Sequence, residues 1–296
     1  FRRVLFRSME IIITGLVLGG TYALVALGLN IQYGISRIMN LANGELLVAG
    51  GLAAFWFWTA GKVSPLLALI IVAPASFVLN YLIYVIMLRP LVKRAKSQGE
   101  LEVNSILATF GLAFIGVGLM LLLVGGQYFS YNYLSQPIEI LGSNYSLNRV
   151  VALIAASSMC AAVYLWLHNT RMGMSIRALA VAPDSALLVG VNVERLSALA
   201  FAIGGAITAI GGALISTFLT LDPSSGVLFT LKALVIVIMG GVGDIRGTII
   251  TAVLLGLLET FVATVIDPGL TLAATYLVFV LVLLFRPQGF FGKPTS

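Results

Sequence analysis

The sequence predicts an all-α fold: a polytopic transmembrane helical bundle of about eight or nine membrane segments, one short or broken near residues 228–247. Three observations predict it. Hydrophobic residues make up 60% of the 296-residue chain and charged ones 9%, against about 45–50% and about 25% in soluble domains. The apolar residues gather in stretches, and a crossing helix with its loop takes roughly 30 residues, which leaves no room for a sizeable soluble domain. The basic residues collect on alternate connections, as the positive-inside rule requires. A lone cysteine, Cys160, argues against a secreted disulfide scaffold.

Phe1–Ser8 reads FRRVLFRS, with three arginines and no helical stripe, and Met9 opens an apolar run. The octapeptide back-translates without a break to TTC AGA CGT GTG CTC TTC CGA TCT, which resembles a sequencing-library adapter. The expectation is an artefact over 1–8, a single membrane domain over 9–292 and a tail at 293–296; the alternative is a native basic extension. Without Arg2, Arg3 and Arg7 the 17 basic residues fall to 14 against 11 acidic ones, a net charge of +3 in place of +6.

The first expected span is Ile11–Tyr33. Gly15, Gly19, Ala23 and Ala26 give it small residues at helical spacing, which permits close helix contact. Asn30, Gln32 and Tyr33 end it with polar groups, and Arg37 follows. Asn40, Asn43, Gly44 and Glu45 then lead into the span Leu41–Ala60. Glu45 at the head of an apolar helix either caps the helix dipole or lines a pathway or gate, because intramembrane ionisable groups are costly. Asn30, Asn40 and Asn43 share the second reading. Pro65–Leu88 and Ser105–Val124 are the next spans.

Gly125–Asn148 is an external segment holding Tyr128, Tyr131, Tyr133 and Tyr145, residues that favour the membrane–water interface. It either caps the bundle or receives an outside partner. Val150–His168 crosses next and leaves His168 at the interface. Arg171–Leu196 is too polar to cross. Ser175–Ala182 and Ser185–Leu188 read as two short helical pieces around Pro183-Asp184, with Asp184 capping the second and Gly190 ending it. Short helices with Ala and Arg faces suit docking into a partner's groove; the alternative is an interfacial helix without a partner.

Leu196–Phe218 contains FAIGGAITAIGGAL, in which Gly204, Thr208 and Gly212 recur every four residues, as do Gly205, Ala209 and Ala213, with Gly211 beside them. Two small-residue ridges demand tight packing on both sides, which makes this a core or subunit-interface helix without ligand contacts. Leu228–Met239 is only twelve residues long, a half-span or one that continues unwound into GGVGDIRG, Gly240–Gly247. Irregular backbone at membrane depth needs protein or a water-filled cavity around it, and broken helices often lie near a transport path, so Asp244 joins the pathway candidates. Thr248–Ile266 carries Glu259 near its centre, as a packing residue or a pathway group, and Leu270–Phe285 closes the set.

With the native N-terminus outside, the inner side holds Arg37, Arg89, Lys93, Arg94, Lys96, Arg171, Arg177, Arg195, Arg246, Arg286 and Lys293, and the outer loops and rims hold Lys62, Arg149 and Lys232, eleven against three. One His and one Cys are too few for a metal cluster. GGVGDIRG lacks the Gly-Lys-Ser/Thr of a phosphate loop, and Arg246 stands where Gly-x-Gly-x-x-Gly needs its third glycine. No cofactor, nucleotide or nucleic-acid site is therefore expected, and ATP, if it powers transport, is hydrolysed by another polypeptide.

GLVLGGTYALVALGLNIQYGISRIMNLANGE (Gly15–Glu45), the inner-loop residues Gly173, Arg177, Ala178, Asp184, Ala186 and Gly190, KALVIVIMGGVGDIRGTIITAVLLGLLE (Lys232–Glu259) and LFRPQGFFG (Leu284–Gly292) together resemble the inner-membrane permease subunit of branched-chain amino acid ABC importers. The resemblance covers Met9–Gly292. Asn43 stands where that family often has His, and Asp244 where it often has a small residue. The resemblance implies a bacterial inner-membrane subunit that pairs with a second, similar permease, two cytoplasmic ATP-binding subunits and an external solute-binding protein. It implies that ATP-driven closure pushes on Arg171–Gly190 and switches the bundle between inward- and outward-facing states. Urea and short-amide permeases share the scaffold and remain alternatives for the substrate. An ion-coupled secondary transporter would need acid–base relays, for which Glu45, Asp244 and Glu259 are the candidates. A membrane-embedded enzyme would need His, Cys and Asp clusters that the chain does not have.

Overall fold

The computed structural model describes residues 2–140, 143–181 and 192–292. Asp184, Ala186, Gly190, the Ser185–Leu188 piece and the 293–296 tail lie outside them. The helices are α1 (Arg2–Ser36), α2 (Asn43–Gly61), α3 (Pro65–Arg94), α4 (Gln98–Val124), α5 (Leu147–Asn169), α6 (Arg171–Val181), α7 (Val193–Ile215), α8 (Gly226–Gly240), α9 (Ile245–Ile266) and α10 (Pro268–Phe285). Seven are long and apolar enough to cross a membrane; α8 is the shorter apolar helix, and α2 has 19 residues with Asn43 and Glu45 in its first turn. The chain is a polytopic helical bundle.

α7 is the axis of the bundle, with 83% of its most apolar stretch buried, against 67% for α1 and 6% for α10. Lipid tails are as apolar as leucine, so helices associate through close packing and hydrogen bonds. Small residues permit that packing on three sides of α7. Gly204 lies on the Gly28 carbonyl and the Gln32 side chain, and Gly211 lies on Leu24 and Val25, all from α1. Gly205 lies on Asn80 of α3, and Gly212 on the main chain of Leu47 of α2. On the other side of α1, a Cβ at Gly15 would stand 2.8 Å from Leu257 and one at Gly19 2.7 Å from Val253, so α9 runs antiparallel against it.

Asn30, Gln32 and Tyr33 do not end the first helix, which continues to Ser36. Asn30 and Gln32 are buried and satisfied: Gln32 Nε2 donates to Phe201 O (3.0 Å), and its Oε1 accepts from Asn40 Nδ2 (3.0 Å). Arg37 then takes a positive φ of 53° and turns the chain back into the bundle. Asn43 Nδ2 reaches Val25 O (3.3 Å), near the middle of α1, so α2 starts at membrane depth. The irregular segment before it is enclosed by protein, with Leu41 N donating to Thr109 Oγ1 (3.1 Å) and Thr109 Oγ1 to Met39 O (3.1 Å).

α8 begins at the same level, where Gly44 N donates to Thr230 Oγ1 (2.8 Å). Two helices therefore open with their N-termini together inside the bundle. Lys232, expected on an outer rim, lies in α8 and points into the bundle, where it forms an ion pair with Glu259. A lysine inside an apolar helix is stable only with such a partner.

The segment between α4 and α5, expected to be external, holds a feature that the sequence did not suggest, an antiparallel pair of strands β1 (Pro137–Ile140) and β2 (Ser143–Ser146), with Ile138 opposite Tyr145. The residues flanking the strand pair rest on the helices of the bundle. Phe129 pairs with Leu221, Tyr131 OH meets Ser216 Oγ (3.0 Å), Tyr133 OH meets Ser64 Oγ (3.1 Å), and Asn148 Nδ2 donates to Thr217 O (2.8 Å). α6 starts at Arg171, ahead of the expected Ser175, with Thr170 Oγ1 accepting from Gly173 N (3.0 Å) at its head.

Candidate functional site

Four polar clusters and one surface helix hold the candidate residues. The first is the break between α8 and α9. Gly241 (φ 100°) and Gly243 (φ 82°) take the left-handed backbone that side chains disfavour. Asn30 fastens this turn from α1: its Oδ1 accepts from Gly243 N (2.7 Å), and its Nδ2 donates to Asp244 O (3.0 Å) and Thr248 Oγ1 (2.6 Å). Asp244 caps α9, accepting from Gly247 N (2.7 Å). The C-terminal Gly289–Phe291 segment lies on the same turn, with Phe290 N donating to Met239 O (2.7 Å). GGVGDIRG and RPQGFFG, far apart in sequence, thus form one packed unit. Replacing Asn30 with leucine leaves Gly243 N, Asp244 O and Thr248 short of a partner. It is expected to destabilise the protein by about 2–4 kcal/mol, measured by thermal unfolding in detergent.

In the second cluster, Thr208 Oγ1 donates to Asn43 Oδ1 (3.0 Å), tying α7 to the head of α2, while Asn40 Oδ1 accepts from Ala42 N (3.1 Å). The third surrounds Glu259. Its Oε2 accepts from Lys232 Nζ (2.8 Å) and Tyr22 OH (2.9 Å), and its Oε1 accepts from Thr275 Oγ1 (3.1 Å). Lys232 Nζ also lies 4.8 Å from the Tyr22 ring centroid. Glu259 stands out in the sequence; Lys232, Tyr22 and Thr275 do not announce themselves as its partners there. The available signal was the lysine inside an apolar stretch.

The fourth is Glu45. It is 4% exposed, and neither carboxylate oxygen has a hydrogen-bond partner. The carboxylate lies against the bare backbone of Gly226, where a Cβ would overlap Oε1 and stand 2.6 Å from Oε2; Gly116 of α4 lies against the Cβ and Cγ of the same side chain. The structure thus brings Asn40, Asn43 and Glu45 together around the paired helix heads, puts Asn30 with Asp244, and holds Glu259 apart.

The surface helix is α6. Gly173, Ile176 and Leu179 are buried against the bundle, and Arg171, Met174 and Ala178 are exposed on the opposite face. A Cβ on Gly173 would overlap the Leu167 main chain, so the helix sits tightly under the end of α5. Arg177 is half-buried and donates from Nη2 to His168 O (3.3 Å).

The family model described as branched-chain amino acid transport system / permease component matches residues 11–286. The chain is 27% identical to the high-affinity branched-chain amino acid transport system permease protein BraD of Pseudomonas aeruginosa, across 98% of this chain and 97% of that one. It is 26% identical to the permease protein LivH of Escherichia coli, with 95% and 94% covered. A ribose import permease protein of Haemophilus influenzae is 26% identical over 77% of this chain and 72% of its own. Among solved structures, PsaBC from Streptococcus pneumoniae in complex with Fab superposes with a TM-score of 0.51 at 9% identity, covering 94% of this chain and 92% of that one, a likeness of fold alone.

Proposed function

The chain belongs to the branched-chain amino acid transport system permease family, and from that premise we propose that it is the translocating subunit of an ATP-binding cassette importer for branched-chain amino acids. It is a multi-pass transport permease of the bacterial inner membrane. In the proposed assembly it pairs with a second, similar permease, receives solute from an external binding protein, and is driven by two cytoplasmic ATP-binding subunits, with no catalytic residue of its own.

The observation that carries the coupling role is α6. One face is locked to the bundle through Gly173, Ile176 and Leu179 while Arg171, Met174 and Ala178 stay free, so a push on the free face is transmitted to α5 and α1 rather than absorbed. Asp184, Ala186 and Gly190 would extend this surface. The double substitution Arg171→Glu and Met174→Glu is expected to reduce co-purification of the ATP-binding subunits at least about tenfold without lowering the melting temperature. Unchanged association would reject the docking role.

Glu259 has both oxygens engaged, which supports a structural pair over an ion relay. Asn30 and Asp244 are spent on the turn that joins α8 to α9, and Gly204, Gly205, Thr208, Gly211 and Gly212 on helix contacts. The deciding experiment is uptake by proteoliposomes holding the assembled importer, its binding protein and internal ATP. Leucine, isoleucine and valine are expected to accumulate only with both ATP and binding protein. Uptake of urea, a short amide or ribose instead would reassign the substrate, and uptake driven by an ion gradient without ATP would reject the class.

A further inference from the structure

We propose that the head of α8 is a transient contact site for the zwitterionic amino acid in transit, with Glu45 as its ammonium acceptor. The proposal rests on the importer reading above and names a contact within it. A carboxylate buried to 4% exposure with both oxygens unpaired is costly unless something cationic meets it. Lys232, further along α8, is committed to Glu259. Bare glycine backbone at Gly226 leaves the carboxylate its space, and a methyl group there would remove it; Gly116 makes room for the Cβ and Cγ of the same side chain.

The same place offers the other two halves of a branched-chain amino acid. The first-turn N–H groups of a helix have no intrahelical acceptor, and the positive end of the dipole attracts a carboxylate. At α8 they are not capped by Ser225, because its hydroxyl donates to Asp222 Oδ2 (2.7 Å); the Asp222 carboxylate, the acid nearest this head besides Glu45, is itself spent on the turn just ahead of the helix, accepting from Ser224 N (2.8 Å) and the Ser225 hydroxyl. Val227, Leu228 and Leu231 follow Gly226 on exposed positions, an aliphatic surface at the mouth of the site. Ammonium to Glu45, carboxylate to the head of α8 and side chain to Val227, Leu228 and Leu231 is a complementary set. Helix termini at membrane depth serve this use in transporters generally.

The test uses the whole importer in proteoliposomes, with radiolabelled L-leucine as probe. Glu45→Gln keeps shape and removes charge, whereas Glu45→Asp keeps charge and shortens the side chain. An ammonium contact predicts that Glu45→Gln lowers leucine uptake at least about tenfold while ATP hydrolysis stimulated by loaded binding protein persists, and that Glu45→Asp retains more uptake than Glu45→Gln. A merely structural glutamate predicts the reverse order, since glutamine fills the same volume; that order, or Glu45→Gln uptake within twofold of the parent, overturns the proposal. Loss of the second permease from purified Glu45→Gln complexes also overturns it, by assigning the carboxylate to a subunit ion pair. Failure of the parent importer to move leucine at all counts against the functional reading, not against this site alone.

Discussion

Gly212→Val is expected to abolish the folded state at ordinary temperatures or to lower its stability by at least about 3 kcal/mol, the upper end of overpacking costs. A Cβ there would overlap Leu47 O and stand 2.6 Å from the Leu47 carbonyl carbon, so the obstacle is main chain and cannot swing aside as a side chain could. The same crossing is held at Gly50, where a Cβ would stand 2.8 Å from Ala209 Cα. Any substitution must therefore drive α2 and α7 apart, which also strains the Asn43–Thr208 hydrogen bond. The chain's lone cysteine, Cys160, is buried, so a thiol-reactive fluorophore reads unfolding directly. Gly118→Ala is the control: nothing stands within 4 Å of its Cβ position in α4, and alanine favours a helix by about 0.8–1 kcal/mol over glycine. A melting temperature for Gly212→Val equal to that of the control would contradict the close helix contact.

Glu259→Leu is expected to cost about 3–5 kcal/mol, because it leaves the Lys232 ammonium in the bundle without its counter-charge. Lys232→Met is expected to cost less, since Glu259 keeps Tyr22 and Thr275 as donors. Combining Lys232→Met with Glu259→Gln removes both charges and should recover much of the loss, a non-additivity that a double-mutant cycle reads as coupling. Membrane yield and thermal unfolding are the measurements. A Glu259→Leu protein of parental stability that has lost transport would favour a relay role over a structural pair.

Much of this was legible in the chain. The span content, the small-residue ridges of Phe201–Leu214 and the short helix before Gly240–Gly247 all follow from spacing, because helix periodicity and bilayer thickness are local constraints. The coarse placing of Glu45 and Glu259 followed from the cost of charge in an apolar run. The partner of Glu259 was not legible, since a hydrogen bond between residues 27 positions apart depends on how two helices meet. Hydropathy missed the pairing of β1 with β2 because a short amphipathic strand pair at an interface resembles any polar loop.

The sequence by itself determined that this protein lives in a membrane, that it crosses many times, and which family it resembles. Composition and period suffice for that, because lipid allows so few backbone solutions. Only the tertiary structure decided that α2 and α8 both open at membrane depth with their heads together, and that Glu45 is buried there unpaired while Asn30, Asp244 and Glu259 are spent on partners. The physical reason is that a polar side chain in a bundle is defined by what it meets. Meeting is set by glycine-permitted helix crossings such as Gly44 on Gly226 and Gly212 on Leu47, which no local pattern specifies.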